Sequence, residues 1–349
     1  MFSLHSDDLS HIAQQGKSAW QELDSARILI TGGTGFFGIW LLESLFFAKT
    51  HLNLRTEVVV LSRDPLRFLQ KFPYLNNMTG LSWIQGEVQD FSFPEGAFTH
   101  VIHAATPASA ALNQNEPLLM LDTIVQGTRR VLDFTVQAGV KKFLLTSSGA
   151  IYGTQPPSLS HVNEHYLGMA DPLQTGAASA GGKWMAEHLS NTYAQHYGFA
   201  TKIARCFAFV GPYLPLDTHF AIGNFMQNVL QQEPIHLHGD GTPYRSYLYA
   251  ADLMIWLWKI LCDGQNGRAY NVGSEEAINL ADLADLMSRQ IQPQVPVVIE
   301  KTPDLNKLPA LYIPSTQRAQ QELALKQWIN LEDGIQRTLN WWKSCKNKN

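Results

Sequence analysis

The sequence predicts a doubly wound α/β fold, in which a parallel sheet is covered by helices on both faces and a smaller α/β lobe follows. Three observations carry this expectation. Short apolar runs at 27–31, 57–61, 81–85, 99–103 and 141–147 alternate with helix-compatible stretches at 36–49, 117–138 and 176–197, and strands separated by helices read as parallel crossover units. The first run, Ile28-Leu29-Ile30-Thr31, feeds a glycine-rich turn with Gly32, Gly35 and Gly38, the arrangement that opens a Rossmann unit. With 349 residues, 45% of them hydrophobic, the chain has the material for a large core and more than one lobe.

Taken in order, residues 1–26 are polar and read as a short N-terminal helical extension leading into the first strand. The Rossmann domain is expected over 27–205. Its last helix, 176–197, lies between Asp171-Pro172 and Gly198, and Thr201 to Arg205 reads as another buried strand. Beyond Gly211-Pro212 the texture changes. Pro215, Pro234, Gly239, Gly241 and Pro243 interrupt short elements, which suits a loop-rich substrate lobe over 206–349, interleaved with the first. The apolar segment 253–262, which contains Lys259, reads as a core helix, and Trp341 and Trp342 as core or interface anchors on a final helix.

Composition excludes several classes. A net charge of -4 leaves no basic footprint for nucleic acid. Cys206, Cys262 and Cys345 are widely spaced, so no disulfide framework is expected; the first two read as core thiols and the third as a tail thiol. The N-terminus is unlike a signal peptide and no apolar run reaches the roughly 18 residues of a membrane span, so a cytoplasmic protein is expected. His161 with His165, and His236 with His238, lack a third ligand, and no metal is expected.

The turn Gly32-Gly33-Thr34-Gly35-Phe36-Phe37-Gly38 follows a strand and opens a helix, so its backbone N–H groups and the helix N-terminus converge on one point. That is a site for a dinucleotide pyrophosphate, and the expected cofactor is NADP or NAD. At the end of the second strand stand Ser62, Arg63 and Asp64. Ser62 and Arg63 suit a 2′-phosphate, whereas Asp64 comes late for the acid that binds a ribose 2′-OH. Glu87 and Val88 are placed at the adenine, and Ala104, Ala105 and Thr106, after the strand 99–103, let backbone approach the nucleotide.

Further segments follow in order: VIHAAT (101–106), LLTSSGAIYG (144–153), GKWMAEHL (182–189), RCFAFVGP (205–212), GDGTPYRSYLYAADL (239–253) and AYNVGS (269–274). Together with the glycine turn they resemble the extended short-chain dehydrogenases/reductases, the nucleotide-sugar epimerase/dehydratase group that also contains UDP-glucuronate decarboxylases, over residues 27 to about 342. The resemblance implies hydride chemistry by a strand-end Ser or Thr and a Tyr-x-x-x-Lys pair. The hydroxyl residue is then Ser148 and the lysine Lys183. Four residues before Lys183, on the same helix face, stands Ser179 in place of the tyrosine. Losing a positioned acid–base group costs about 10²- to 10⁴-fold, so either another group replaces it or turnover is reduced. Tyr152, otherwise a packing or sugar contact, and Tyr166 are the stand-ins considered.

Other departures bear on the reaction. Where the resemblance implies Asp-Glu in dehydratases, and a retained glutamate in decarboxylases, this chain has Gly149 and Ala150. Dehydration and decarboxylation are disfavoured, and epimerisation or keto reduction survives better. Ala208 replaces a sugar-nucleotide asparagine. Asn224 and Arg245 stand where nucleotide phosphates are contacted, and a planar guanidinium suits a diphosphate. Two further readings stay open: a cofactor-binding protein with lost or altered redox catalysis, and an oxidoreductase acting on a non-sugar ketone or alcohol. The resemblance also implies a homodimer through helices 117–138 and 176–197.

Overall fold

The computed structural model describes residues 3–106, 110–217, 220–304 and 306–346. At its centre is a seven-stranded parallel sheet. Six strands are β1 (Arg27–Thr31), β2 (Glu57–Ser62), β3 (Leu81–Gln85), β4 (His100–His103), β5 (Lys142–Ser148) and β6 (Ala200–Cys206), with Arg268–Val272 as the seventh. The spatial order is Arg268–Val272, β6, β5, β4, β1, β2, β3. The direction of winding therefore reverses between β1 and β4, and in such sheets the crevice beyond the strand ends at that reversal is where ligands bind. The outermost strand, Arg268–Val272, comes from the far side of the expected 205/206 boundary, so the chain returns to the first lobe after entering the second.

Successive strand residues serve two different cores, as the period-two geometry of a strand requires. Ile28, Ile30, Val58, Val60, Ile102 and Leu144 pack with the helices Phe36–Leu52 and Ala250–Asp263. Their neighbours Leu29, Val59, Leu61, Val101, Phe143 and Leu145 pack with the helices Pro117–Gln137 and Ala178–Tyr197. The helix Phe36–Leu52 is apolar nearly all round because its second face is covered by the N-terminal segment. Ala250–Asp263 is likewise a core helix; its Lys259 ammonium donates to the Leu323 carbonyl (2.7 Å).

The N-terminal segment is two helices, Ser6–Gln15 and Lys17–Leu23, rather than one. The break falls at Gly16, where a Cβ would lie 2.8 Å from the Trp20 indole nitrogen. Trp20 donates to the Ala13 carbonyl and is buried, so the kink lets one indole serve the core of both helices. The segment is also tied to distant parts of the chain: buried Asp8 accepts from Tyr249 and from Arg337, each at 2.7 Å.

The second lobe is built from short pieces. Tyr244–Arg245 lies between Ile278–Asn279 and Leu311–Tyr312, with Arg245 in register with Tyr312. The helices Ala221–Gln231 and Leu280–Ser288 pack beside Ile235–Leu237. Among the described residues no helix is long and apolar enough to cross a membrane. Cys206 and Cys262 are buried free thiols and Cys345 is half-buried.

Candidate active site

The glycine turn closes off β1 in a conformation that its residues make possible. Gly32 has φ +75°, and a Cβ there would sit 2.5 Å from the Ala104 carbonyl oxygen, so the β1 and β4 loops touch backbone to backbone. Gly38 packs against Gly33 so closely that a Cβ would come within 2.2 Å of it. Gly35 is different. It is exposed, a Cβ there would meet only the Gly32 carbonyl at 3.5 Å, and it precedes the helix Phe36–Leu52 without any side chain capping that helix. An uncapped helix N-terminus above an open glycine is a cradle for an anionic diphosphate, so the residues present fit a dinucleotide. Phe36 and Phe37 are half-buried beside it, with the Phe37 ring 5.3 Å from that of Phe209.

The neighbouring loops are held by Thr31. Its hydroxyl accepts from the Ala105 N–H (3.2 Å) and contacts His103 Nδ1 (2.7 Å), while His103 Nε2 reaches Thr128 (3.0 Å). Burial lowers the His103 pKa to about 3, so the ring is neutral and serves as a fixed strut. Ala104, Ala105 and Thr106 are half-buried at the mouth of the crevice. Ser62 is buried and Arg63 exposed at the end of β2, whereas Asp64 accepts from the Arg67 N–H (3.0 Å) and caps the helix Pro65–Lys71. Glu87 is exposed. The Val88 side chain is buried against Gly127, where an added Cβ would lie 2.7 Å from Val88 Cγ1.

β5 and the helix Ala178–Tyr197 bring Ser148 and Lys183 to the same end of the sheet. Ser148 ends β5 and its hydroxyl accepts from the Ala150 N–H (3.1 Å), shaping the turn Gly149–Tyr152. Gly149 is needed there because the Phe207 ring would lie 2.7 Å from a Cβ. Lys183 is 5% exposed and donates to the Thr146 carbonyl (2.5 Å). Its pKa falls to about 8 because burial disfavours the ammonium, against smaller opposing effects of Cys206 and Glu187. Ser179, one helical turn before it, is half-buried, and its N–H donates to Asn113 Oδ1 (2.8 Å).

Tyr152 is engaged within the fold. It is 2% exposed, its hydroxyl donates to Asn271 Oδ1 (2.8 Å), and it accepts from Arg205 Nη1 (2.8 Å). Burial pushes the phenol up to about 12 in spite of Arg205. Arg205 in turn pairs with Glu187 (2.8 Å), which also accepts from Ser147 (2.5 Å). This buried network braces β5 against the helix and β6. Tyr166 lies with its ring 6.2 Å from that of Tyr152.

From the second lobe, Arg245 is half-buried and donates to the Tyr244 carbonyl (2.8 Å). Asn224 is exposed in the first turn of the helix Ala221–Gln231. The residue that sequence reasoning misses is Tyr312. Its ring lies 4.7 Å from Phe207, with Arg245 Cζ 5.9 Å from the ring centre. Burial raises its phenol above the ordinary tyrosine range, and the Ser148 side chain partly offsets this. No motif marks it. The only sequence signal is an aromatic in a two-residue strand, and its position follows from register with Arg245.

His161 contacts the Glu275 carbonyl, His165 contacts Arg318 and His238 contacts Glu300. Among the described residues, Glu22, His100 and Cys262 gather ligand-type atoms within 4.8 Å, but the Lys142 ammonium lies 2.6 Å from Glu22 and donates to the Cys262 carbonyl, filling that space with a cation.

A dinucleotide cradle at the sheet's reversal point, joined to a serine and a buried lysine at the end of β5, defines a short-chain dehydrogenase/reductase type of site. Residues 28–273 match the NAD dependent epimerase/dehydratase family, and the chain belongs to that family. UDP-glucuronic acid decarboxylase 6 of Arabidopsis thaliana is 28% identical over 316 residues, 88% of this chain and 86% of that protein. UDP-glucuronic acid decarboxylase 1 of Danio rerio is 26% identical over 92% of this chain and 73% of its own length. Among solved structures, a UDP-glucose 4-epimerase from Thermotoga maritima, determined with UDP-glucose, superimposes with a TM-score of 0.76 at 22% identity, covering 92% of this chain and 99% of that one. A dTDP-glucose 4,6-dehydratase from Streptomyces venezuelae with NAD bound gives 0.75 at 22% identity, covering 92% and 98%.

Proposed function

We propose that this chain modifies a nucleotide-linked sugar with NAD or NADP, by keto reduction or epimerisation. The observation that carries the reading is the end of β5: Ser148 and the buried Lys183 are in place, while the adjoining turn residues, Gly149 and Ala150, offer no carboxylate. Proton abstraction beside a sugar ketone, which dehydration requires, has no base in that turn. The bound cofactor supplies or accepts the hydride. Lys183 holds the nicotinamide ribose, Ser148 polarises the reacting sugar oxygen, and the backbone at Gly32, Gly35 and Gly38 receives the pyrophosphate.

Arg63 favours NADP. It is exposed at the end of β2 and among the described residues makes no ion pair, while the nearby Asp64 is engaged as a helix cap. Arg245 and Asn224 are assigned to the nucleotide diphosphate, a reading supported by the UDP-glucose and dTDP-glucose enzymes among the similar folds. A homodimer is supported by exposed apolar residues on the paired helices, Leu118 (76% exposed), Leu119, Trp184 and Met185.

Calorimetric titration with UDP and UDP-glucose tests the substrate class. Arg245→Ala weakens UDP binding by roughly 1.5–3 kcal/mol, the range for hydrogen bonds to charged groups. An unchanged UDP affinity, or none in the parent protein with UDP, dTDP, GDP and CDP alike, overturns the reading in favour of a non-sugar ketone or alcohol.

A further inference from the structure

The helix Ala178–Tyr197 carries Ser179 where the resemblance implies a phenol, yet a phenol from another part of the chain lies beside the turn that follows the strand-end serine. Tyr312 lies on Leu311–Tyr312, in register with Arg245, and its ring stacks near Phe207, which itself closes over Gly149 beside Ser148. The Ser148 side chain acts on the Tyr312 phenol, lowering its pKa against the effect of burial. The other nearby phenol, Tyr152, has its hydroxyl committed to Asn271 and Arg205. We propose that Tyr312 is the proton donor of the reaction, working with Ser148 from the second lobe in place of a tyrosine at 179.

This inference rests on the reading of a ketone-reducing site. As hydride from a reduced nicotinamide dinucleotide reaches the substrate carbonyl carbon, the C=O π bond breaks and the oxygen takes the proton of the Tyr312 hydroxyl. The Tyr312 O–H bond breaks, a carbinol O–H bond forms, the dinucleotide is oxidised, and water returns a proton to the phenolate. An ordinary phenol is protonated at neutral pH, and burial of Tyr312 acts in the same direction. A protonated phenol is suited to completing a reduction and poorly suited to starting an oxidation, so this assignment favours keto reduction over epimerisation.

Tyrosine labelled with ¹³C at Cζ provides a readout that needs no turnover. The Tyr312 resonance is identified by its loss in Tyr312→Phe, which keeps the ring on Phe207 and removes only the hydroxyl. In the free protein, Ser148→Ala moves the Tyr312 signal; an unmoved signal overturns the contact. With oxidised NAD present, UDP-glucose moves the signal and UDP alone does not. Equal response to both, or no response to bound UDP-glucose, overturns the role at the sugar. With NADPH and a UDP-linked 4-keto sugar, Tyr312→Phe lowers kcat by about 10²- to 10⁴-fold with KM unchanged, and adding Ser179→Tyr restores turnover. Parent-like kcat in Tyr312→Phe overturns the proposal. A loss that Ser179→Tyr does not repair assigns Tyr312 to packing and overturns it too. If the parent protein turns over no nucleotide sugar, the substrate reading fails, while the Ser148→Ala comparison still decides the contact.

Discussion

Replacing Lys183 with methionine should make the folded protein more stable at neutral pH while abolishing its hold on the cofactor. The ammonium is 5% exposed and its pKa falls to about 8 from an ordinary 10.5. At about 1.4 kcal/mol for each pH unit, keeping it charged costs the folded state about 3 kcal/mol at pH 7. Methionine fills similar volume without charge, but leaves the Thr146 carbonyl without its donor, which returns about 1 kcal/mol. The net expectation is a gain of about 2 kcal/mol for Lys183→Met. The sign depends on pH. Because the folded pKa lies below the unfolded one, the unfolded chain holds more protons between about pH 8 and 10.5, so the parent protein gains stability across that window and the variant does not. Urea midpoints of both proteins at neutral pH and near pH 10 read this directly. The advantage of the variant should shrink as pH rises. A variant that is less stable at pH 7, or a difference that ignores pH, would show that the lysine is not stored at a cost and refute the reasoning. A buried charge kept at a stability cost is expected where function needs it.

Three further outcomes follow from named contacts. Gly32→Ala forces a Cβ to 2.5 Å from the Ala104 oxygen at φ +75°; it should lower the urea midpoint, with at least the roughly 1–2 kcal/mol left-handed backbone penalty, and weaken dinucleotide binding followed by NADPH fluorescence. Glu187→Gln removes the charge that pairs with Arg205 and one of the two oxygens that accept from Arg205 and Ser147, and should cost about 3–5 kcal/mol by urea denaturation. Arg63→Ala should raise the Kd of NADPH by about tenfold, the equivalent of about 1.4 kcal/mol, while NADH binding stays unchanged; equal effects on both would remove Arg63 from the 2′-phosphate.

The sheet was legible because parallel strands buried on both faces must be near-continuous apolar runs, and 27–31, 57–61 and 141–147 are such runs, each within a residue or so of its observed end. The glycine turn and the four-residue spacing of Ser179 and Lys183 were legible for the same reason: local geometry fixes them. The rest depends on partners distant in sequence. Nothing local to Tyr152 shows that Asn271 and Arg205 engage its hydroxyl. The packing of Val88 against Gly127 is set by a crossover helix and has no local signal. Tyr312 was invisible because two-residue strands have no periodicity, and only their pairing with Tyr244–Arg245 brings that ring beside Arg245 and Phe207. Nor did the N-terminal segment show its kink, since Gly16 becomes a break only when Trp20 needs the space.

The most direct test of the account is to mix the purified protein with NADPH and a UDP-linked 4-keto sugar and follow the loss of nicotinamide absorbance together with the mass of the sugar nucleotide. One NADPH should be oxidised for each UDP-sugar that gains two hydrogens. Binding of both ligands with no oxidation would contradict it and leave a cofactor-binding protein without redox turnover.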